Sequence, residues 1–204
     1  MAVSQHASVR KTVKEDLGAI VEMIQELADF EGMSDGPKLT IQDLLRDGGF
    51  DDGVLSNSVP LFHSFVLELT EQIRTGNKGK ITSCSSNDEP LTRTTIIGYA
   101  ICFYSYSTWQ GKSFFLEDIY IKPNYRKRGY GELLFKTVAQ HALENGCKRL
   151  DFHVLAWNPA KYFYNRMGAE NLTESEQWEF TVCQGKKWMH LPKTIPSGSK
   201  PLKS

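Results

Sequence analysis

Lys122-Pro123-Asn124-Tyr125-Arg126-Lys127-Arg128-Gly129-Tyr130-Gly131 is the stretch on which the reading of this chain turns. Before it, Ser113 to Ile121 is rich in aromatic and branched residues and reads as a strand. After it, Leu133, Leu134, Val138 and Ala142 fall on one helical face, and Gly146 is the natural stop of that helix. The loop therefore joins a strand to a helix. Glycines there let successive N–H groups converge, and the start of the helix adds partial positive charge. Such a loop suits a pyrophosphate, with Arg126 and Arg128 adding mobile charge. It is not a nucleoside-triphosphate loop, because the Lys-Ser/Thr ending is missing. It is not a dinucleotide fingerprint either: Gly129-Tyr130-Gly131 runs into Glu132-Leu133-Leu134, so the third glycine is absent. Taken alone, the loop reads equally well as a glycine-containing surface turn.

Working outward, the chain begins with a short strand near Ser8 to Thr12. A helix follows, opened by the capping spacing of Thr12 and Glu15 and carried by Leu17, Ile20, Val21, Ile24, Leu27 and Ala28 to an end near Gly32. Thr40 and Asp43 open a second, short helix that stops at Gly48 and Gly49. Phe65 to Leu69 reads as a strand. Residues 70–95 are polar and glycine- and serine-bearing, and read as a flexible hairpin insertion. Ile96 to Tyr106 and Ser113 to Ile121 are strands, with a turn over Ser107 to Lys112 between them. Beyond the long helix come a strand over Arg149 to Leu155, a short helix between Pro159 and Gly168, and strands over Trp178 to Cys183 and Lys187 to Leu191. The pattern predicts an α/β fold with a mixed parallel and antiparallel central sheet and helices on both faces. Residues 1–191 form one domain and 192–204 a disordered tail.

The chain has 204 residues, 40% hydrophobic and 24% charged, which fits one good core. Its 24 basic and 24 acidic residues cancel, which argues against a nucleic-acid partner. No apolar run reaches the ~18 residues of a membrane span, and the first residues lack a signal-peptide pattern, so the expected location is cytoplasmic. Cys84, Cys102, Cys147 and Cys183 show no metal-ligand spacing, nor do the five histidines, so no metal is expected. Cys102, Cys147 and Cys183 lie in apolar segments and read as reduced core thiols.

The run Tyr125 to Gly131, between its strand and helix, resembles the Arg/Gln-x-x-Gly-x-Gly/Ala coenzyme A loop of the Gcn5-related N-acetyltransferases. Trp157-Asn158-Pro159 and Tyr162-Phe163-Tyr164-x-x-x-Gly168-Ala169 resemble the last motif of that family. Tyr106-Ser107-Thr108-Trp109-x-Gly111-Lys112, Phe115-Leu116-Glu117-Asp118-Ile119-Tyr120 and Leu172-Thr173-Glu174-x-Glu176-x-Trp178 are similar to its spermidine/spermine acetyltransferase subfamily, and most of all to the branch acting on thialysine. The resemblance runs from about Val9 to Val182 and departs at the 70–95 insertion.

The resemblance implies that acetyl-coenzyme A is co-substrate. Its pantetheine would pair with the backbone of Ile119, Tyr120 and Ile121 like an added strand. Its pyrophosphate would sit on Arg126, Lys127, Arg128, Gly129, Tyr130, Gly131 and Glu132. Asn158, Pro159, Ala160 and Tyr164 complete the cofactor set. A primary amine would attack the thioester directly in a ternary complex. Tyr164 would protonate the leaving thiolate, an exchange only slightly uphill from a phenol of pKa ~10 to a thiol of pKa ~8.5. Glu117 would attract the ammonium and take its proton. Phe30, Glu31, Glu117, Phe152, His153, Glu176, Ser107 and Trp109 would line the amine site. His153 reads sooner as a satisfied strand residue than as a base, and Trp109 equally as substrate entrance or core. Strict alternation forbids Glu117 and Asp118 from facing one side, so one of the two acids turns inward or a bulge sits there; a carboxylate buried near the cleft is a candidate base, which leaves Asp118 open as the base beside the favoured Glu117.

The polyamine branch carries an acid where this chain has Ser107. Losing that charge weakens the hold on a long polycation, each shielded ion pair contributing on the order of 1–3 kcal/mol. A short amine such as thialysine or another lysine analogue suffers less. Polyamine acetylation, protein-lysine acetylation and a non-catalytic acetyl-coenzyme A sensor remain the alternatives. The subfamily implies a homodimer, for which Trp178, Phe180 and Trp188 supply either a pairing surface or the chain's own core.

Overall fold

The computed structural model describes residues 2–50, 59–74 and 91–181. The chain divides into two compact units, Met1–His153 and Val154–Ser204. The first holds a five-stranded sheet in the order β1 (Ala2–Lys11), β2 (His63–Arg74), β3 (Leu91–Ser107), β4 (Gly111–Ile121), β5 (Leu150–Phe152). The first four strands are successively antiparallel, and β5 runs parallel to β4. This is the mixed sheet that the sequence predicts. Gly98 shows why β3 and β4 close so tightly: a Cβ there would lie 2.6 Å from Tyr120 O and from Ile121 Cδ1.

Helices cover both faces. On one, α1 (Leu17–Phe30) and α2 (Ile41–Asp47) bury Leu17, Ile20, Met23, Leu44 and Leu45 against Val66, Tyr99, Ile101 and Tyr120. On the other lies α3 (Tyr130–Glu144), whose buried residues include Leu134, Phe135 and Val138 and whose His141 meets Phe65 and Phe114 edge-on or tilted. Apolar periodicity places α1 and α3 well, and the Thr40 and Asp43 capping signal places α2. Thr40 caps α2 as expected, accepting from Asp43 N–H while Asp43 accepts from Thr40 N–H.

Several boundaries are corrected. The first strand is ten residues long, not a short one at Ser8 to Thr12. The helix start is one residue later than Thr12 and Glu15 suggest: Asp16 accepts from Val13 N–H at 2.8 Å, while the Thr12 hydroxyl is buried and donates to Ser64. Both ends of the 70–95 segment are paired strand, with Thr70 opposite Thr94 and Ile73 opposite Leu91; its middle lies outside the described residues. The strand expected over Arg149 to Leu155 is only Leu150–Phe152.

In the second unit, α4 (Ala160–Arg166) starts after Pro159 and ends before Gly168, which takes φ 89°. A further helix, α5 (Leu172–Glu176), replaces what the sequence leaves unassigned. Trp178 to Thr181 carry no strand, against expectation. The rest of that strand, Lys187 to Leu191, Trp188, the tail, Cys84 and Cys183 lie outside the described residues. Cys102 and Cys147 are buried, free thiols. Among the described residues no helix is long and apolar enough to cross a membrane, and no cluster of metal-ligating side chains occurs.

Candidate active site

β5 pairs with β4 only over Phe114 to Leu116 and ends at Phe152. Beyond that, β4 continues to Ile121. Lys122 N–H donates to Ile97 O across β3. Strand alternation therefore turns the N–H and C=O of Ile121 and Ile119 to the opposite side, the one β5 has left. Ile119 offers both groups to an extended amide ligand, and Ile121 its N–H, since its C=O already accepts from Arg126 Nε. The N–H and C=O of Tyr120 turn toward β3 by the same alternation; its ring packs in the α1 core, and burial, with the bond its hydroxyl donates to Glu26 at 3.0 Å, pushes the phenol up to about 12.

The loop after β4 is shaped for an anion. Lys127 takes φ 61°, a left-handed conformation rare for a side-chain-bearing residue, and Gly129 takes φ 84° as N-cap of α3. The first intrahelical bond runs from Leu133 N–H to Gly129 O, so the amides of Tyr130, Gly131 and Glu132 precede it at the positive end of the helix. A Cβ on Gly131 would touch only Ile121 Cγ1, at 3.9 Å, so the chain's own packing does not demand glycine there. The space is free for a ligand's close approach, and these residues fit a coenzyme A pyrophosphate. The Glu132 side chain turns to Lys136 at 2.6 Å.

Arg126 differs from the mobile charge expected of it. Its Nε donates to Ile121 O at 2.8 Å, and its guanidinium lies 5.3 Å from the Phe30 ring centre and 5.1 Å from that of Tyr120. It braces the loop against β4 and the end of α1. Arg128 lies over Tyr125.

The adjacent acids are resolved by a bulge. Ile101 pairs with Asp118 and Cys102 with Leu116, leaving Glu117 as the extra residue. Phe114 packs toward α3, yet Tyr120 packs toward α1, so the strand changes faces across this bulge. Asp118 is turned inward and accepts from the Tyr99 hydroxyl at 3.0 Å; Glu117 is exposed. Burial pushes the Asp118 carboxyl up to about 6. The Tyr99 bond opposes the shift, and the charges of Glu117 and Glu31 add to it. Burial also raises Glu31, the C-cap of α1. The charges of Glu31 and Glu117 thus both act on Asp118, and acids coupled in this way suit a cation.

Phe30, exposed at 43%, stands beside Glu31 under Arg126. Phe152 meets Phe135 edge-on, and His153 meets the Phe115 ring edge-on with centres 5.0 Å apart. The Ser107 hydroxyl accepts from Trp109 and Gln110 N–H, both at 3.3 Å, closing the β3–β4 turn. Trp109 is exposed at 77%, which removes its core reading.

In the second unit, Asn158 Oδ1 accepts from Ala160 N–H at 2.9 Å and so opens α4 after Pro159. Tyr164, 8% exposed, has its ring against Phe163, and its carbonyl accepts from Met167 and Ala169 N–H. Glu176 accepts from Trp178 Nε1 at 2.7 Å; Trp178 and Phe180 are exposed.

Sequence reasoning missed Tyr99. Its one sign is a hydroxyl in the otherwise apolar run Ile96 to Ala100, where a buried phenol needs a partner.

A model of the acetyltransferase (GNAT) family matches residues 60–169. The thialysine N-epsilon-acetyltransferase of Bos taurus is 35% identical over 184 residues, 90% of this chain and 95% of that one. Spermidine/spermine N(1)-acetyltransferase-like protein 1 of Homo sapiens is 32% identical over 171 residues, 83% of this chain and 21% of that longer protein. An aminoglycoside N-acetyltransferase solved in complex with coenzyme A matches with a TM-score of 0.56 and 17% identity, over 90% of this chain and 97% of that one, a likeness of fold. With the family matched over more than half its length, the chain belongs to the GNAT acetyltransferases and is an acetyl-coenzyme A-dependent N-acetyltransferase.

Proposed function

We propose that this enzyme acetylates the terminal primary amine of a small cationic substrate, thialysine or a related lysine analogue. The observation that carries the reading is the β4 bulge, which turns Asp118 inward onto the Tyr99 hydroxyl and leaves Glu117 exposed beside it; burial raises the Asp118 carboxyl, and the charges of Glu117 and Glu31 add to the shift. An ammonium group relieves that repulsion. Ser107 supports a short amine over a polyamine: its hydroxyl is occupied in its own turn and brings no charge. The similarity to thialysine acetyltransferases points the same way.

Acetyl-coenzyme A supplies the activated thioester. Ile119 and Ile121 hold its amides, and the amides of Lys127 to Glu132 its pyrophosphate. Only about 0.04% of a lysine-like amine is neutral at pH 7, so Glu117 must remove an ammonium proton before the nitrogen attacks. In that attack the C–N bond forms, the C–S bond breaks, and Tyr164 gives its proton to the departing sulfur. Phe30 walls the amine site beside Glu31. Phe152, His153, Trp109 and Glu176 complete the lining, and Asn158, Pro159 and Ala160 the thioester end. The reading takes residues 1–191 as one catalytic domain that assembles as a homodimer.

Thiol release from acetyl-coenzyme A with thialysine, lysine, spermidine and spermine tests the substrate. The expected result is the highest kcat/KM for thialysine. Equal or higher kcat/KM for spermidine assigns the enzyme to polyamines, the second reading, which the human relative favours.

A further inference from the structure

We infer that Tyr99 and Asp118 are positioning residues for acetyl transfer, their hydrogen bond holding the β4 bulge that presents Glu117. The inference rests on Glu117 being the carboxylate at the amine site. Tyr99 is fully buried on β3, its ring packed 6.4 Å from that of Tyr120 and within the core that α1 and α2 cover. A ring so enclosed puts its hydroxyl at a fixed point, and that hydroxyl donates to Asp118 Oδ2 at 3.0 Å. Asp118 directly follows the unpaired Glu117. Nothing in the pattern Leu116-Glu117-Asp118-Ile119 tells one acid from the other, and a slip of one residue would send Glu117 inward instead. The Tyr99 hydroxyl makes the choice: it supplies a buried donor where Asp118 stands, so Asp118 is held inside and Glu117 is left exposed. Among the described residues, the groups whose charge or bond reaches Asp118 are Tyr99 and Cys102 of β3, Glu117 beside it and Glu31 after α1. None of them is a cation that would hold Asp118 by an ion pair, so the pin is the phenol.

The test measures kcat, with whichever amine of the four turns over fastest, for wild type, Tyr99→Phe, Asp118→Ala, Asp118→Asn and Glu117→Gln, and for Tyr99→Phe combined with Glu117→Gln. Melting temperature and acetyl-coenzyme A affinity identify any variant that fails to fold. Displacing a reacting carboxylate by about 1 Å costs on the order of 10- to 100-fold, the loss expected for Tyr99→Phe and Asp118→Ala. Asp118→Asn should recover most of the kcat that Asp118→Ala loses, because its amide oxygen accepts the same bond, while its KM for the amine rises because a charge has left the amine site. Tyr99→Phe should cost nothing more once Glu117 is already glutamine. Wild-type kcat in Tyr99→Phe overturns the inference. So does Asp118→Asn as slow as Asp118→Ala, which would make charge the operative property, or a full further loss in the double variant. Wild-type kcat in Glu117→Gln is a different failure: it removes the role of Glu117 itself and the inference with it.

Discussion

Arg126 sits between two aromatic rings and a strand carbonyl, and its planar, forked guanidinium suits all three. Lysine keeps the charge but cannot donate through Nε or lie flat on both rings. Arg126→Lys should therefore weaken acetyl-coenzyme A binding by about tenfold, read by calorimetry, because the loop loses its brace. Unchanged affinity would mean that Arg126 acts through charge alone. Glu117→Gln should lower kcat/KM by roughly 10²- to 10⁴-fold if it takes the ammonium proton. The sequence showed the residue types at these positions, since Glu117, Asp118, Arg126 and the loop glycines stand out by charge and spacing. It did not show which partners they take. Whether Arg126 is mobile or clamped depends on Phe30, ninety-six positions away, and no local pattern carries that.

Elements were legible where one face is apolar at a regular period, as in α1, α3 and β4. They were not where cross-strand pairing overrides composition. The polar ends of the 70–95 segment read as loop, yet Thr70 and Thr94 pair and bond through their hydroxyls at 3.2 Å, as β-branched residues favour. The start of the first helix slipped by one residue because its cap is settled by Arg10. That guanidinium binds Asp16 at 2.6 Å and Glu68 at 2.5 Å, tying β1, β2 and the helix entrance together. Burial alone would raise the Asp16 carboxyl, but the bonds from Arg10 and from Val13 N–H outweigh it and hold it below the usual range. A carboxyl lowered in the folded state contributes stability above its unfolded pKa of ~3.9 and loses it as pH falls through the folded value. Asp16→Asn should therefore lower the melting temperature at pH 7 and show a smaller further loss than wild type below pH ~4. Parallel melting curves for the two proteins down to pH 3 would contradict this.

Across the whole sheet, the face covered by α3 holds a second pH-sensitive feature. His63 and His141 lie with ring centres 5.6 Å apart among Phe65, Tyr104 and Phe114. Burial lowers both. Each is lowered further by Lys11 and Lys112, His63 also by His141, while Glu144 pulls His141 the other way. Groups whose folded pKa lies below the unfolded ~6.5 leave stability intact above that pH and erode it as pH falls through the folded value. The melting temperature should accordingly drop between pH 7 and 5, and by less in His63→Gln. The fold as a whole was legible in the alternation of strands and helices around one loop. The family was legible in motifs on both sides of that loop, and the comparisons bear it out.

Acetyl transfer to a small amine with Tyr164 as the acid is tested most directly by thiol release from acetyl-coenzyme A with saturating thialysine, in wild type and Tyr164→Phe side by side. The account predicts turnover in wild type and a fall of roughly 10²-fold or more in the variant, with acetyl-coenzyme A still bound. Equal turnover in the two proteins, or none in wild type with any of the four amines, would contradict it.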